Sequence, residues 1–495
     1  MLERRGVQHY LTRCFADAMA DHRAAASIFR DLDDRLSEGR NLVWLSQVAL
    51  AAGDSAGEAA LAAATTVLEA LPPSRELAMS YEAQARRLFM SSELGAAEAW
   101  AERGAALADH LGDPDLALES RITAAVLGLM AGRDAAHAHL RELRDAAYEW
   151  SLRDPLARDT FARATLYLAL IPTMRRQYDD VDRYLDEGWR YAVDNNLEYW
   201  QSMQAGASAV RALDAGRWND AVRHARAVLD MPDPAWRSRL MALMTLARVA
   251  LRSGQPDGEA YLEQVTETAG EDRAALGIVW PVRAEAGWLA GDPARVLREV
   301  AAAQARKLGA GDPWHAGELA FWARLAGGAA DGRAVVAEPY RLAVAGAWAA
   351  AAVWWEERGC PYETAVSLAA GDDTNAVRRA IELLDRLGAA PAAAYARRRL
   401  RELGVSSVPR GPRPSTMANP AGLTGRELQV LEVVATGLSN AQVAARLFLS
   451  EKTVERHLAG IFAKLQVSTR AEAVAAGARI GAVRAPKVEG SRPRD

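Results

Sequence analysis

A chain of 495 residues, 50% hydrophobic and 25% charged, is too long for one ordinary domain and apolar enough to fill large cores, so a folded, multi-part protein is expected. No uncharged apolar run is long enough to span a bilayer, and the start, MLERRGVQHYLTRC, lacks the apolar segment and cleavage site of a secretory signal, which points to the cytoplasm and away from membranes. The net charge of −4 hides a division, with +9 on residues 397–495 and −13 on residues 1–396, so a polyanionic partner is expected at the C-terminal end.

Residues 1–403 are rich in Ala, Leu, Arg and Glu, with apolar residues at helical spacing and no convincing period-two stretch. Breaks recur at AAGDSAGEA (51), SELGAAEAW (92), MAGRDAAHA (130), RRQYDDVDRYL (175), DAGRWNDAVRHA (214), RSGQPDGEAYL (252), LAGDPARVL (289) and VAGAWAAAAVWW (344). Most intervals are roughly 37 to 45 residues, the period of helix-turn-helix repeats that stack into solenoids. The stretch GRWNDAVRHARAVL resembles a tetratricopeptide unit: a Gly closes one helix, an aromatic packs in the turn, and Ala221 lets the next helix approach. About eight to ten degenerate pairs are expected. Trp44, Trp100, Trp218, Trp288, Trp322 and Trp348 recur near the expected helix ends and read first as packing between repeats. A concave groove for an unidentified peptide, protein or small-molecule signal is the other reading.

Cys14 and Cys360 lie far apart and in no metal-ligand spacing, which fits buried thiols in a reducing compartment better than a disulfide. His137 and His139, two apart, point to different faces of a helix and cannot share a metal. The carboxylates of GDPD, GDPAR and AGDDTN sit at helix starts, where capping explains them. No nucleophile and base pair stands out, so no enzyme, metal or cofactor is expected.

Residues 404–422 carry Pro409, Pro412, Pro414 and Pro420 and read as a semi-rigid basic linker. In residues 423–482, Thr424 with Glu427, Ser439 with Gln442, and Thr469 with Glu472 have capping-box spacing. Ser450 caps a further helix, Glu451 complements its dipole, and Gly437 ends the first helix in a left-handed conformation. Only FLS separates the second and third helices, which makes a helix-turn-helix. Residues 483–495 read as a disordered tail.

At about 100° per residue, the third helix, 451–465, places Val454, Leu458, Ile461, Phe462 and Leu465 on one arc. Lys452, Glu455, Arg456, Ala459 and Ala463 fall on nearly the opposite one. Two long cations beside two small residues suit a helix lying deep in a major groove. On the flank, Thr453, His457, Gly460 and Lys464 fall where phosphates would be met. Glu455 accepts from a cytosine amino group or else orients a neighbouring arginine; both readings stay open.

The segments LTGRELQVL, GLSNAQVAARLFLSEKTVERHL and IFAKLQVSTRAEAV resemble the LuxR-type (NarL-type) DNA-binding domain in almost gapless agreement from Leu423 to Ala478. With the helical repeats upstream this makes an all-α fold, a tetratricopeptide-like solenoid followed by a four-helix domain; the resemblance implies that the third helix of that domain enters the major groove of double-stranded promoter DNA. It places Glu455, Arg456 and Ala459 at base-facing positions and Lys452, Thr453 and Lys464 beside the backbone. The fourth helix would support a homodimer through Val474, Ala475 and Ala478. It implies a transcription activator in contact with RNA polymerase. Many relatives have Lys where this chain has Glu455. The upstream repeats, VAGAWAAAAVWWEERGCPYETAVSLAAGDD and RRLRELGVSSVPRGPRP resemble the C-terminal part of large ATP-dependent LuxR-type regulators. Their ATPase has no counterpart here, because none of the four lysines (Lys307, Lys452, Lys464, Lys487) follows a glycine as a Walker A loop requires. The alternatives are a helical-repeat interaction scaffold with weak or vestigial DNA binding, or a truncated ATP-dependent regulator.

Overall fold

The computed structural model describes residues 1–12, 14–91, 93–155, 157–308, 311–328, 336–408, 423–465, 467–479 and 483. These contain 26 helices and no strand, in two compact units, Met1–Ser406 and Ser407–Asp495. Positions 409–422 of the expected linker, its four prolines included, and positions 484–495 of the expected tail lie outside the described residues.

The first unit begins with α1 (Leu2–Leu11), α2 (Phe15–Asp31), α3 (Arg35–Ala52), α4 (Ala56–Glu69), α5 (Arg75–Met90) and α6 (Leu94–His110). It continues through α7 (Pro114–Met130), α8 (Asp134–Ser151), α9 (Ala157–Met174), α10 (Val181–Asp194), α11 (Glu198–Asp214) and α12 (Trp218–Leu229). Then come α13 (Trp236–Ser253), α14 (Gly258–Ala269), α15 (Arg273–Leu289), α16 (Pro293–Ala305), α17 (Pro313–Leu325) and α18 (Glu338–Val344). α19 (Trp348–Glu357), α20 (Pro361–Ala370), α21 (Thr374–Leu387) and α22 (Ala390–Glu402) complete it. Each helix packs on the next in sequence, and alternate helices such as α3 and α5 or α11 and α13 pack side by side, as in a solenoid of helical pairs.

All eight sequence breaks fall at turns between paired helices, from α3–α4 to α18–α19. The 22 helices of the first unit exceed the eight to ten pairs expected. Two turns share one local chemistry. Gly112 and Gly291 take left-handed φ values of +68° and +72°, and the following Asp113 and Asp292 accept from Leu116 N at 3.0 Å and Arg295 N at 2.8 Å. Asp373 in AGDDTN caps in the same way, so these carboxylates are committed to helix starts.

Alanine sets the spacing between helices. Ala221 and Ala225 are fully buried beside Trp218 at the start of α12, as the tetratricopeptide-like stretch requires. Trp288 and Trp322 pack together with ring centres 5.2 Å apart. Two tryptophans correct the reading as helix-end residues: Trp44 lies inside α3, stacked on buried His22 at 5.7 Å, and Trp100 lies inside α6 against Tyr81 at 5.1 Å. Both fill gaps along helix faces. Cys360 is buried, whereas Cys14 is exposed, because it stands at the start of α2, outside the packed face.

The solenoid winds tightly enough for distant repeats to touch. Arg252 of α13 lies 2.7 Å from Glu285 of α15 and 3.3 Å from Glu363 of α20. Its guanidinium stacks 3.8 Å from the Tyr362 ring centre. Next to it Arg248 meets Glu318 of α17 at 2.7 Å. A second network joins Glu82 of α5 to Arg163 of α9 at 3.1 Å and to Thr123 of α7 at 3.0 Å. Such pairs return little net stability over an apolar core, but removing one partner strands the other charge. Replacing Arg252, whose side chain is 2% exposed, by Ala should cost about 3–5 kcal/mol, read as a lower urea midpoint; a loss below about 1 kcal/mol would show that Glu285 and Glu363 do not depend on it.

Candidate nucleic-acid interface

The second unit contains α23 (Gly425–Ala435), α24 (Asn440–Leu447), α25 (Glu451–Leu465) and α26 (Arg470–Arg479). All four starts are capped as expected. Thr424 with Glu427 and Ser439 with Gln442 form reciprocal capping boxes. Ser450 Oγ accepts from Thr453 N at 3.2 Å. Thr469 Oγ1 accepts from Glu472 N at 3.2 Å, and Glu472 accepts from Thr469 N at 3.0 Å. Gly437 has φ +86°. The three residues Phe448, Leu449 and Ser450 turn α24 into α25. Val430, Leu431, Val443, Val454, Leu458 and Ile461 form the core, with Phe462 and Leu465 packed at its edge.

Lys452, Glu455, Arg456, Ala459 and Ala463 are all exposed on α25, opposite its buried arc. They form one surface of two cations, one carboxylate and two small side chains. Thr453 and His457 are half-buried at its edge, and the Thr453 hydroxyl is 2.7 Å from Ser450 Oγ. Lys464 is placed differently from the other flank residues: its ammonium donates to Glu427 Oε2 at 2.6 Å. A phosphate contact from Lys464 therefore competes with an ion pair inside the domain. On α26, Ala475 is exposed, while Val474 and Ala478 are half-buried and lean on the domain's own core.

Glu427 holds the arrangement together. Its carboxylate accepts from Thr424 N at 2.6 Å and from Lys464 at 2.6 Å, joining the start of α23 to the end of α25. It reaches α25 across Gly460, where a Cβ would stand 2.9 Å from Glu427 Oε1. Two arginines that the sequence reading left without a role add further ties. Arg426 donates to the Leu447 carbonyl at 2.7 Å, closing the end of α24. Arg470 donates to Asn440 Oδ1 at 2.8 Å and to the Leu438 carbonyl. Their only signal in sequence was a cation at or next to a helix start, which local spacing does not distinguish from a solvated charge. Phe448 was also missed. It occupies the turn with φ +54° and is 96% exposed, a left-handed conformation costly for a bulky L-residue.

Short capped helices with a three-residue turn and an exposed third helix define a helix-turn-helix domain. Residues 421–476 match the family described as bacterial regulatory proteins, luxR family, and this C-terminal domain belongs to it. Over 51 residues it is 53% identical to a nitrate/nitrite response regulator protein homolog of Haemophilus influenzae and 51% identical to the uncharacterized transcriptional regulatory protein YhcZ of Bacillus subtilis. These matches cover 10% of this chain and 24% of each relative. A putative HTH-type transcriptional regulator of Mycobacterium tuberculosis is 40% identical over 72 residues, 14% of this chain and 8% of that protein. The similarity thus spans a quarter or less of these relatives.

Burial works against ionisation of Glu427, but the hydrogen bonds from Lys464 and Thr424 outweigh it and hold the carboxyl below its ordinary 4.5. A pKa lowered by folding contributes stability that is complete above the unfolded value and disappears as pH falls through the folded one. The fragment 407–495 should therefore lose stability below pH 4.5, and Glu427→Gln should both lower its melting temperature at neutral pH and shrink that acid-dependent loss. An unchanged acid limb in urea titrations of the variant would remove Glu427 from this role.

Proposed function

We propose that the chain is a transcription regulator that binds promoter DNA by inserting α25 into the major groove. The observation that carries this reading is the exposed arc of α25, on which Lys452 and Arg456 flank small Ala459 and Ala463, on a helix held by a luxR-family core. Arg456 reads bases with Glu455 and Ala459, since guanidinium and carboxylate pair with guanine and cytosine edges respectively. Lys452 at the first turn meets the backbone, with Thr453 and His457 beside it. Lys464 contributes to phosphate attraction while keeping Glu427 as its partner.

DNA binding as a homodimer follows if α26 pairs across a two-fold axis through Ala475, with Val474 and Ala478 at the margin; half-sites would then lie about one helical turn apart. The all-helical first unit is the part that takes a signal or docks a partner. A cytoplasmic location fits, since no helix among the described residues is long and apolar enough to cross a membrane. Activation through RNA polymerase is what the family resemblance adds. The net charge of +9 on residues 397–495 supports a salt-dependent encounter with DNA.

Arg456→Ala should cost about 1–3 kcal/mol of discrimination between preferred and random duplexes, whereas Lys452→Ala should weaken both alike and reduce the salt slope by about one. Mobility shifts over a salt series measure both effects. Equal losses from both variants on every duplex would refute this division of roles, and no salt-sensitive binding by residues 407–495 would favour an interaction scaffold.

A further inference from the structure

Within the first unit, the ends of α3–α5 and the α13–α15 region enclose a cleft of about 720 Å³, in the range of small-molecule sites. Its walls come from repeats far apart in sequence. They touch where the Trp236 indole lies against Gly53, at which a Cβ would stand 2.9 Å from Trp236 Cδ1.

Hydrogen bonding at this cleft is short of acceptors. Three guanidiniums line it, and each offers five N–H donors and accepts nothing. Arg87 spends its donors on Gln84 and Glu58, both at 3.2 Å. Arg86 and Arg237 donate no hydrogen bond to a described residue. Arg86 Nε is buried without a hydrogen-bond partner; Glu82 Oε2 lies 3.2 Å from it but out of line. Arg237 stands 3.7 Å from Asp272, beyond hydrogen-bond distance, and the Asp272 carboxylate accepts from Ala275 N at 2.8 Å instead. Ion pairing therefore balances charge here while leaving directional donors unused, and a buried donor without an acceptor is destabilising.

The two unspent guanidiniums converge, Arg86 from α5 and Arg237 from α13. Burial raises the pKa of the Tyr167 and Tyr199 hydroxyls, and Arg86 and Arg237 both act to lower it at each of them, so each cation lies within electrostatic reach of the same two groups. What the cleft lacks is a ligand atom that accepts from both. Asp54, Glu58, Glu271 and Asp272 also line it, which disfavours a multiply charged anion and restricts the occupant to one negative charge. Leu50, Leu61 and Met90 supply apolar wall.

We infer that this cleft binds a small organic acid as its monoanion, with the carboxylate received by Arg86 and Arg237 and an aliphatic body against the apolar wall. Because α5 and α13 each supply one guanidinium, the occupant would tie together repeats that otherwise meet through Trp236 and Gly53. The regulatory consequence rests on the reading of the first unit as the part that takes the signal; the binding itself does not.

Isothermal titration of the full chain with sodium hexanoate at constant ionic strength tests the site. One saturable site is expected, weakened at least about tenfold by Arg237→Gln and also by Ser55→Glu, which sets a competing carboxylate at an exposed lining position. Hexan-1-ol and hexylamine, which share the chain but not the negative charge, should give no saturable heat. Circular dichroism spectra and melting temperatures matching the parent's would exclude misfolding of the variants. Absence of a saturable site in the parent, or parent affinity in both folded variants, would overturn the inference; so would inorganic phosphate occupying the same site more tightly than hexanoate. The effect of hexanoate on duplex affinity is then compared between parent and Arg237→Gln. A shift in the parent alone supports the cleft as the signal site; if hexanoate binds the cleft but affects duplex affinity equally in both proteins, the site stands and the sensory reading fails.

Discussion

One carboxylate fixes the geometry on which the DNA-binding domain depends. Glu427 closes the capping box of α23 and accepts from Lys464 at the far end of α25, so the helix that presents Arg456 is tied to the helix beneath it. The approach is possible because Gly460 has no side chain to block it. A charge-assisted hydrogen bond in a partly buried position is stronger and more directional than a fully exposed ion pair. Arg426 and Arg470 extend the same principle, each closing a helix end or loop that apolar packing alone would leave loose. Short helices of 8 to 15 residues have little stability of their own. These polar ties and a small apolar core together make a rigid support for the exposed arc.

The first unit solves a different problem. Its helices pack through alanines, which brings backbones close but buries little area per residue. Its tight winding then encloses arginines and carboxylates from repeats distant in sequence. Arg252 between Glu285 and Glu363 illustrates the result: the network favours one relative placement of α13, α15 and α20 more than it adds stability.

What could be read from sequence was what depends on neighbours within four residues. Capping pairs, the left-handed Gly437, the FLS turn and the split of α25 into buried and exposed arcs all follow from local spacing. The eight paired-helix turns were legible as well, because the apolar periodicity breaks at each of them, most often at a Gly with positive φ. The Lys464–Glu427 pair joins residues 37 apart and was invisible to spacing, which is why Lys464 read as a simple phosphate contact. Trp44 and Trp100 were misplaced because the repeat period locates turns better than it locates the middle of a helix. The closure of α20 onto α13 has no local signature at all.

The arc on α25 carries one residue that sets it apart from a generic basic surface. Glu455 is exposed beside Arg456; if α25 enters the groove as proposed, a carboxylate there gains nothing from phosphates and either selects among bases or orients a neighbouring arginine. The most direct test is selection of bound duplexes from a randomised pool, using residues 407–495 with Glu455 and with Glu455→Lys. The account predicts that the two proteins enrich sites differing at one base pair in each half-site, with overall affinity for random DNA higher in the variant. Identical enriched sites for both proteins would contradict direct reading of bases by this part of α25.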